Sequence, residues 1–183
     1  MNRREAFQKM ALGLGYAITL PSAGMLLKSC NEPKKDFGEL LFFNPKEASL
    51  VEAMAECILP DSPSSPGATK VGVIDSIDLL INNIIPIVKQ KDLRKQMDSF
   101  QENCNGEYGS NFEDLDLKNQ SSAMTQLVQD EELSELFFSI KNMTTLSYFA
   151  KMEIGMNVMN YNPLPGNYEA CVEITKDEKG WYM

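Results

Sequence analysis

Apolar residues recur at helical spacing along most of the chain. Asn44 can cap a helix and Pro45 fits its first turn, where a missing N–H would be unpaired anyway. The apolar positions that follow repeat every three or four residues: Leu50, Val51, Met54, Ala55, Ile58 and Leu59. This stripe predicts an α-helix over residues 45–58. The three prolines of segment 60–67 end that helix and predict an exposed loop.

A second helix is predicted from Val73, because several apolar residues share one of its faces: Ile74, Ile77, Leu80, Ile81 and Ile84. Pro86 separates it from a polar helix over about residues 88–102. The inward positions of that polar helix are Leu93, Met97 and Phe100. The segment 106–111 is predicted to be a turn.

A third apolar face follows this turn, with Ser121 or Ser122 as the expected helix cap. The last long repeat runs from about 131 to 159 at spacings of three and four. No hairpin signal or series of alternating strands accompanies these helices. The sequence therefore predicts an all-α fold of five or six helices in one compact, bundle-like domain with an irregular tail.

The carboxyl-terminal tail combines aromatic residues with helix breakers, namely Tyr161, Pro163, Pro165, Gly166 and Tyr168. Such a segment cannot form a helix and is poor as a central strand. One interpretation is that the tail packs back over its own core. The other is that it forms a preformed extended arm whose aromatic rings dock on another protein.

The first residues have the plan of an export signal. Arg3 and Arg4 give a basic start that is similar to a twin-arginine motif, and segment 10–27 carries no charge. The segment that ends at Cys30 is similar to a lipobox, in which the chain is cleaved before the cysteine and the cysteine is lipidated. An ordinary secretory route and a permanent membrane helix are the alternatives.

These features predict an organisation in three parts: a signal over residues 1–29, a polar tether over 30–40, and a single helical domain over 41–183. The expected product is an exported, periplasmic lipoprotein that is anchored to the membrane through lipid on Cys30.

Composition excludes several classes of site. The chain has 183 residues, a formal net charge of -9 and no histidine. Histidine bases, His-containing zinc sites and His-ligated haem are therefore excluded. The negative charge also excludes nucleic acid as a partner, because phosphates would be repelled.

Four cysteines are present, and Cys30 belongs to the predicted lipid anchor. Cys57 is expected to be a buried thiol on a helix. Cys104 and Cys171 lie in polar sequence and are candidates for a disulfide in an oxidising compartment, or for a bond to a partner chain.

No signature of cofactor binding stands in the sequence. The only GxG, Gly13-Leu14-Gly15, lies inside the predicted signal and does not follow a strand. Two carboxylate clusters, Asp114-Asp116 and Glu131-Glu132-Glu135, could in principle perform acid and base chemistry. Their position in a loop and at a helix start favours solvated surface. We therefore expect no catalytic residue, cofactor or metal in this chain.

Four segments together resemble the small (gamma) subunit family of gluconate 2-dehydrogenase, also called subunit 3. They are Asn2-Arg3-Arg4-Glu5-Ala6, Phe42-Phe43-Asn44-Pro45-Lys46-Glu47, Tyr148-Phe149 with Glu153-Ile154-Gly155, and Tyr161 to Tyr168 continuing to Cys171. The resemblance covers nearly the whole chain.

The resemblance implies a non-catalytic accessory subunit of a membrane-associated sugar or sugar-acid dehydrogenase. The partner would be an FAD-dependent large subunit of the glucose-methanol-choline type, often with a cytochrome c subunit. A signal on the small subunit would carry the folded pair across the membrane. A stand-alone exported lipoprotein that binds other proteins is the alternative.

The partner-binding region is expected to extend from Tyr148 to Cys171. Its candidate contact residues are Tyr148, Phe149, Glu153, Gly155, Tyr161, Pro163, Pro165, Gly166 and Tyr168.

Overall fold

The helices that the structure describes lie between Pro45 and Asn157. The computed structural model describes residues 37–161, 164, 166, 171, 173 and 179–182. Within these residues the chain forms six α-helices: α1 (Pro45–Ile58), α2 (Val73–Ile84), α3 (Ile87–Tyr108), α4 (Leu117–Gln129), α5 (Ser134–Phe149) and α6 (Met152–Asn157). A 3-10 turn, Phe112–Asp114, lies between α3 and α4. The predicted all-α class with five or six helices is confirmed.

Two short strands follow the helices. Strand β1 (Asn160–Tyr161) pairs in parallel with β2 (Trp181–Tyr182), with Asn160 opposite Trp181. No strand was predicted, because neither segment shows an alternating pattern longer than two residues. The pairing brings a late part of the chain beside the end of α6.

Helix α5 lies at the centre of the fold, because it packs against α1, α2 and α4. Fully buried side chains from these helices meet there, including Met54 of α1, Ile77 and Ile81 of α2, and Leu136 and Ile140 of α5. Full burial of such a side chain contributes about 1.5–3 kcal/mol. The predicted apolar stripes of α1 and α2 thus supply much of the core.

The start of α1 follows the predicted capping. The Asn44 side chain accepts hydrogen bonds from the backbone N–H of Lys46 at 2.9 Å and of Glu47 at 3.0 Å. Glu47 in turn accepts the Asn44 backbone N–H at 2.8 Å, which completes a capping box. The predicted bounds, 45–58, are confirmed.

The segment before α1 is fixed by a buried carboxylate on α2. Asp78 is 2% exposed and accepts the backbone N–H of Leu41 at 2.7 Å and those of Phe42 and Phe43 at 2.9 Å. The Arg94 guanidinium lies 4.4 Å from the centre of the Phe42 ring and donates to the Phe42 carbonyl. These contacts attach residues 41–43 to α2 and α3.

The packed part of the chain begins before Leu41. Phe37 and Leu40 are partly buried and pack against the core, and a compact unit begins at Phe37. Four residues of the predicted tether, 37–40, therefore belong to the domain. They belong to it because Phe37 and Leu40 are apolar and pack against the core, although the rest of the tether is polar.

The loop between α1 and α2 is held by contacts of two carboxylates and one hydroxyl. Glu56 accepts the backbone N–H of Asp61 at 3.1 Å and of Thr69 at 2.9 Å. Asp61 pairs with Lys70 at 2.6 Å, and this hydrogen bond holds the pKa of the Asp61 carboxyl below its usual value. The Tyr148 hydroxyl donates to the Pro66 carbonyl at 2.7 Å. The predicted loop is thus anchored to α1 and α5.

Two predicted boundaries are wrong. Helix α3 extends to Tyr108 instead of ending near 102, and Gly106 lies inside it. Gly109 ends the helix with a φ of 74°, a left-handed conformation that favours glycine. Helix α4 begins at Leu117, because the Asp116 side chain accepts the Asn119 N–H at 2.9 Å, so neither Ser121 nor Ser122 is the cap.

The predicted long segment from 131 to 159 is interrupted. Helix α5 ends at Phe149 and α6 begins at Met152. Lys151 between them has an extended backbone with ψ of 126°, and its ammonium donates to the Gly72 carbonyl at 2.9 Å. A contact with the α1–α2 loop therefore accompanies the break.

The predicted signal with Arg3 and Arg4, and the predicted lipidation residue Cys30, lie outside the described residues. Among the helices that the structure does describe, none combines the length and apolar character needed to cross a membrane.

Candidate docking surface

An apolar groove lies between the last turns of α2 and α5. Three of its large side chains are more than half exposed: Leu79 at 51%, Ile84 at 67% and Leu146 at 61%. The groove has a volume of about 330 Å³ and is lined by Ser76, Leu79, Leu80, Asn83, Ile84, Leu146, Ser147 and Ala150. We call it the α2–α5 groove. Exposed apolar side chains gathered in one depression are typical of binding surfaces.

A smaller depression adjoins this groove at Ala150. It is lined by Ala150, Met152, Gly155 and Tyr161, from the α5–α6 junction, α6 and β1. Met152 is largely exposed. Because Ala150 lines both depressions, they form one surface. We call the two depressions together the docking face.

The second half of α5 has an inverted pattern of burial. Its polar Thr144 and Ser147 are buried, whereas its apolar Leu146 and Phe149 are exposed. Burying hydroxyls while exposing aliphatic and aromatic side chains is unfavourable for an isolated subunit. Such local violations of the usual pattern concentrate at functional sites.

Both buried hydroxyls of this helix lack a hydrogen-bond partner. They are Thr144 Oγ1 and Ser147 Oγ. Ser147 belongs to the lining of the α2–α5 groove, whereas Thr144, less than one helical turn earlier, does not. Buried polar atoms are usually paired, so these two hydroxyls are exceptions within the described residues.

The docking face carries no charge among its lining residues. The negative charge of the protein is concentrated elsewhere. Between residues 96 and 135 the sequence has ten Asp and Glu residues against one Lys, and this segment ends in the first turn of α5. An uncharged surface on a strongly acidic protein favours an apolar partner over a basic one.

Of the predicted contact residues in α5 and α6, two are buried and two are exposed. Tyr148 is 3% exposed and Gly155 is buried, so the Tyr148 ring belongs to the core and its hydroxyl to the loop contact with Pro66. Phe149 and Glu153 are exposed. Gly155 still borders the smaller depression.

The predicted contact residues of the tail are described only in part. Tyr161 is exposed and lines the smaller depression, and Gly166 is exposed. Pro163, Pro165 and Tyr168 lie outside the described residues. The choice between a tail packed on the core and a docking arm therefore stays open.

Sequence reasoning missed the contribution of α2. Ile84 was predicted to share a face with Ile77 and Ile81, but it is 67% exposed, whereas the neighbouring Ile85 is partly buried against the core. Leu79 was not assigned a role. Its position in the helical repeat could have indicated its exposure, because Leu79 lies two residues after Ile77 and cannot share the same helical face.

The three cysteines beyond Cys30 are free in the structure. The expected polar, turn-rich environment of Cys104 is wrong, because this residue is buried in α3 and burial, with Glu107 and Glu113 nearby, raises the pKa of its thiol to about 11. Cys171 is exposed.

Cys57 is half-buried, and its thiol donates to Gln120 Oε1 at 3.6 Å. Desolvation, followed by the charge of Glu56, raises the pKa of the Cys57 thiol.

The carboxylate clusters have structural contacts. Asp116 caps α4, and Glu135 pairs with Lys89 at 3.4 Å on the surface. In the part of the chain that the structure describes, no three Cys, Asp or Glu side chains gather in a way that could hold a metal ion.

Comparison with known proteins gives a match to a family model. The model of the family described as gluconate 2-dehydrogenase subunit 3 matches residues 45–166, from the first residue of α1 to the tail. No curated protein and no solved structure matches the chain. The matched range includes both depressions of the docking face.

Proposed function

Because the chain belongs to the gluconate 2-dehydrogenase subunit 3 family, we propose that it is a non-catalytic accessory subunit that binds an FAD-dependent large subunit through the docking face. The observation that carries this proposal is the inverted burial of α5. Leu146 and Phe149 are exposed while Thr144 and Ser147 are buried. A partner that covers this surface would remove the exposed apolar side chains from water.

The shape and charge of the docking face support the same role. Interface energies are dominated by a few central apolar or aromatic anchors, with less from the polar rim. Leu146 and Ile84 stand on opposite sides of the α2–α5 groove, and Tyr161 lies in the adjoining depression. These residues would provide the anchors, and the uncharged lining would avoid the cost of burying unpaired charge.

The proposed function also includes export. Residues 1–29, with Arg3 and Arg4, would direct the folded pair of subunits across the membrane, and lipid on Cys30 would hold the complex at the periplasmic surface. A cytochrome c subunit would accept the electrons from the flavin of the large subunit. The small subunit would thus contribute assembly and location, while oxidation of the sugar or sugar acid takes place on its partner.

The docking role is tested by a charge substitution in the groove. Leu146→Glu should weaken binding of the purified FAD-dependent large subunit from the same genome by about thirty-fold or more, since loss of a central anchor costs at least ~2 kcal/mol. The matched control is Phe138→Glu on the same helix. Phe138 is also half-exposed but lies outside both depressions.

Binding is measured by affinity capture and flavin absorbance of the captured complex, with circular dichroism as the check on folding. Equal binding by Leu146→Glu and the original protein would contradict the docking role. Equal loss in both variants would also contradict it, because the effect would not be specific to the groove.

The export role is tested separately in cells. Replacing Arg3 and Arg4 by Lys should retain both subunits in the cytoplasm, and Cys30→Ala should release the exported complex from membranes without changing its assembly. Periplasmic large subunit in cells that carry the double Lys variant would contradict co-export by the twin-arginine route.

A further inference from the structure

The turn between α2 and α3 presents two aliphatic side chains to solvent. Ile87 is 70% exposed and Val88 is 71% exposed. They are the first two residues of α3 and directly follow Pro86. Neither residue lines the docking face, so a partner bound there does not account for their exposure. We call residues 86–88 the α2–α3 corner.

The α2–α3 corner has a fixed shape, because Gln90 holds the end of α2. The Gln90 side-chain amide donates to the carbonyls of Ile81 and Ile85, both at 2.9 Å. The Pro86 carbonyl accepts the backbone N–H of Gln90 at 3.0 Å. These three carbonyls keep their hydrogen bonds when water is removed, which lowers the cost of placing the corner in an apolar environment.

Two lysines lie on the same outward face of α3 as the exposed aliphatic residues. Lys91 and Lys95 follow Ile87 by four and eight residues, and helical geometry places residues at these spacings on one face. Val88 precedes the same two lysines by three and seven residues. Both lysines are exposed. Lysine can lay its methylene chain along apolar surface and keep its ammonium group in a polar layer.

The charges beside the corner leave it positive. Lys89 pairs with Glu135 at 3.4 Å and Arg94 pairs with Glu47 at 3.0 Å, so these charges cancel. Asp92 is exposed and offsets one of the two lysines on the outward face. Over segment 84–95 the sequence has four basic residues and one acidic residue. This local excess is opposite in sign to the net charge of the chain and complements anionic head groups.

We propose that the α2–α3 corner rests on an anionic lipid surface. Ile87 and Val88 enter the boundary between head groups and acyl chains, and the ammonium groups of Lys91 and Lys95 contact the lipid phosphates. Two neighbouring aliphatic residues on a protruding corner suit a lipid layer, which needs no depression of matching shape. This contact goes beyond the proposed function and does not require the large subunit.

The acidic half of α3 lies too far from the corner to prevent this contact. On the outward face the next acidic residue after the lysines is Asp98, eleven residues after Ile87. At a rise of about 1.5 Å per residue, this separation is roughly 16 Å along the helix axis. Charges are largely screened beyond about 8 Å at physiological ionic strength. When α3 stands steeply on the lipid surface, Asp98 is therefore screened from the head groups.

The chain enters the helical domain beside the same part of α3. The Phe42 carbonyl accepts a hydrogen bond from Arg94, which lies seven residues, or about 10 Å along the helix, from Ile87. The proposed lipid on Cys30 precedes this point of entry. Attachment through that lipid would bring this side of the domain to the membrane, where the corner would add a second contact.

The contact is tested by placing a tryptophan at the corner of the full-length chain. Cys30→Ala removes the lipid, and Trp181→Phe removes the one tryptophan of the sequence. In this background the variants are Val88→Trp and, as the matched control, Leu117→Trp. Leu117 is 81% exposed at the start of α4, directly after Asp116. Circular dichroism checks that each variant keeps its helices.

The probe is a vesicle of phosphatidylcholine and phosphatidylglycerol with brominated acyl chains, which quench only a tryptophan that approaches them. The fluorescence of Val88→Trp should fall by about half or more, whereas that of Leu117→Trp should not change. The readout is local, so it reports the corner even where another segment attaches the chain to the vesicle. Absence of quenching in Val88→Trp would overturn the proposal, as would equal quenching in the two variants.

The role of the lysines is tested in the Val88→Trp protein. Lys91→Gln with Lys95→Gln should lower the equilibrium constant of insertion, obtained from the quenched fraction, about thirty-fold, since each lysine near such a surface contributes about five-fold. Lys118→Gln with Lys141→Gln gives the same net charge and should stay within about two-fold, because these exposed lysines lie on α4 and α5. Equal effects of the two pairs would contradict the assigned contacts.

Two further outcomes would replace the proposed occupant by another. Equal quenching of Val88→Trp in vesicles of phosphatidylcholine alone would show that the corner does not select anionic lipid. Dimers that form in the absence of vesicles and are abolished by Val88→Asp, measured by sedimentation, would assign the corner to a second copy of the chain if quenching is also absent.

Discussion

The carboxylate of Asp78 accepts the backbone N–H of Phe42 at 2.9 Å, across 36 residues of sequence. The same oxygen accepts the N–H of Phe43, and the second oxygen accepts that of Leu41. Three consecutive backbone donors are thus satisfied by one buried side chain. The backbone N–H groups of the segment that leads into α1 therefore depend on a single residue in the middle of α2.

Asp78→Asn should lower the free energy of unfolding by about 3 kcal/mol. An amide offers one acceptor oxygen in place of two, so at least one buried N–H would lose its partner and face an amide N–H, and the bonds that remain would lose their charge. Urea unfolding followed by circular dichroism measures the change.

Asp75→Asn is the matched control, because Asp75 is an exposed carboxylate in the first turn of the same helix. Its loss should cost about 0.3–1 kcal/mol through the helix dipole alone. Similar losses in the two variants would show that the three hydrogen bonds to Asp78 do not carry the effect.

Gly67→Ala should destabilise the protein by about 1–3 kcal/mol. A β-carbon at position 67 would collide with a carboxylate oxygen of Glu56 and lie 2.8 Å from the backbone nitrogen of Asp61. That same Glu56 carboxylate holds the loop through Asp61 and Thr69, so it cannot move without losing those contacts. Thermal unfolding measures the effect.

Gly106→Ala should instead stabilise the protein. Gly106 lies inside α3, and nothing approaches within 4 Å of the position that its β-carbon would occupy. Replacing a helix-interior glycine by alanine stabilises by about 0.8–1.0 kcal/mol. Destabilisation by Gly106→Ala would contradict the finding that α3 continues beyond residue 102.

The free energy of unfolding should fall between about pH 9 and pH 11, because the folded protein holds the proton of the Cys104 thiol more tightly than the unfolded chain does. The pKa of its thiol is about 11 in the folded protein against an ordinary value of 9.0, because burial disfavours the thiolate. The unfolded chain releases this proton first as the pH rises, so the contribution is complete below pH 9 and is lost toward pH 11. Urea unfolding at several pH values measures the slope.

Cys104→Ala is the control for this titration. It should flatten the pH dependence in that range and leave the contribution of Cys57, whose pKa burial also raises. An unchanged slope in the variant would contradict the role of Cys104.

The thiols of Cys57, Cys104 and Cys171 should react with a small alkylating reagent at very different rates. Cys171 is exposed and should react first, Cys57 is half-buried and should be slower, and Cys104 should react only on unfolding. Mass spectrometry of labelled peptides gives the order. Isolation of a Cys104–Cys171 disulfide from oxidised native protein would instead support the pairing suggested by the sequence.

Elements with local signals could be predicted well from the sequence. The bounds of α1 follow from the Asn44 cap, Pro45 and Glu47, all within four residues of the helix start. The boundaries that failed depended on competing signals or distant contacts. Asp116 and Ser121 are both good caps by residue type, and the break at Lys151 coincides with a hydrogen bond to Gly72, 79 residues away.

The docking face could be predicted only in part for the same reason. The sequence indicated the region after Tyr148 because its composition is unusual. It did not indicate Ile84, because the apolar spacing assigns this residue to the face of Ile77 and Ile81, and it did not use the position of Leu79, two residues after Ile77, which was the available signal. It also placed Tyr148 at the interface, whereas the hydroxyl of Tyr148 reaches the Pro66 carbonyl across 82 residues.

The attachment of residues 41–43 to Asp78 and Arg94 has a mechanical consequence. A pulling force that reaches Phe37 from the preceding residues would be borne by the packing of Phe37 and Leu40 and by hydrogen bonds to α2 and α3 before it reaches the start of α1. Load would enter the fold at its interior helices, so α1 would remain in place until those bonds give way.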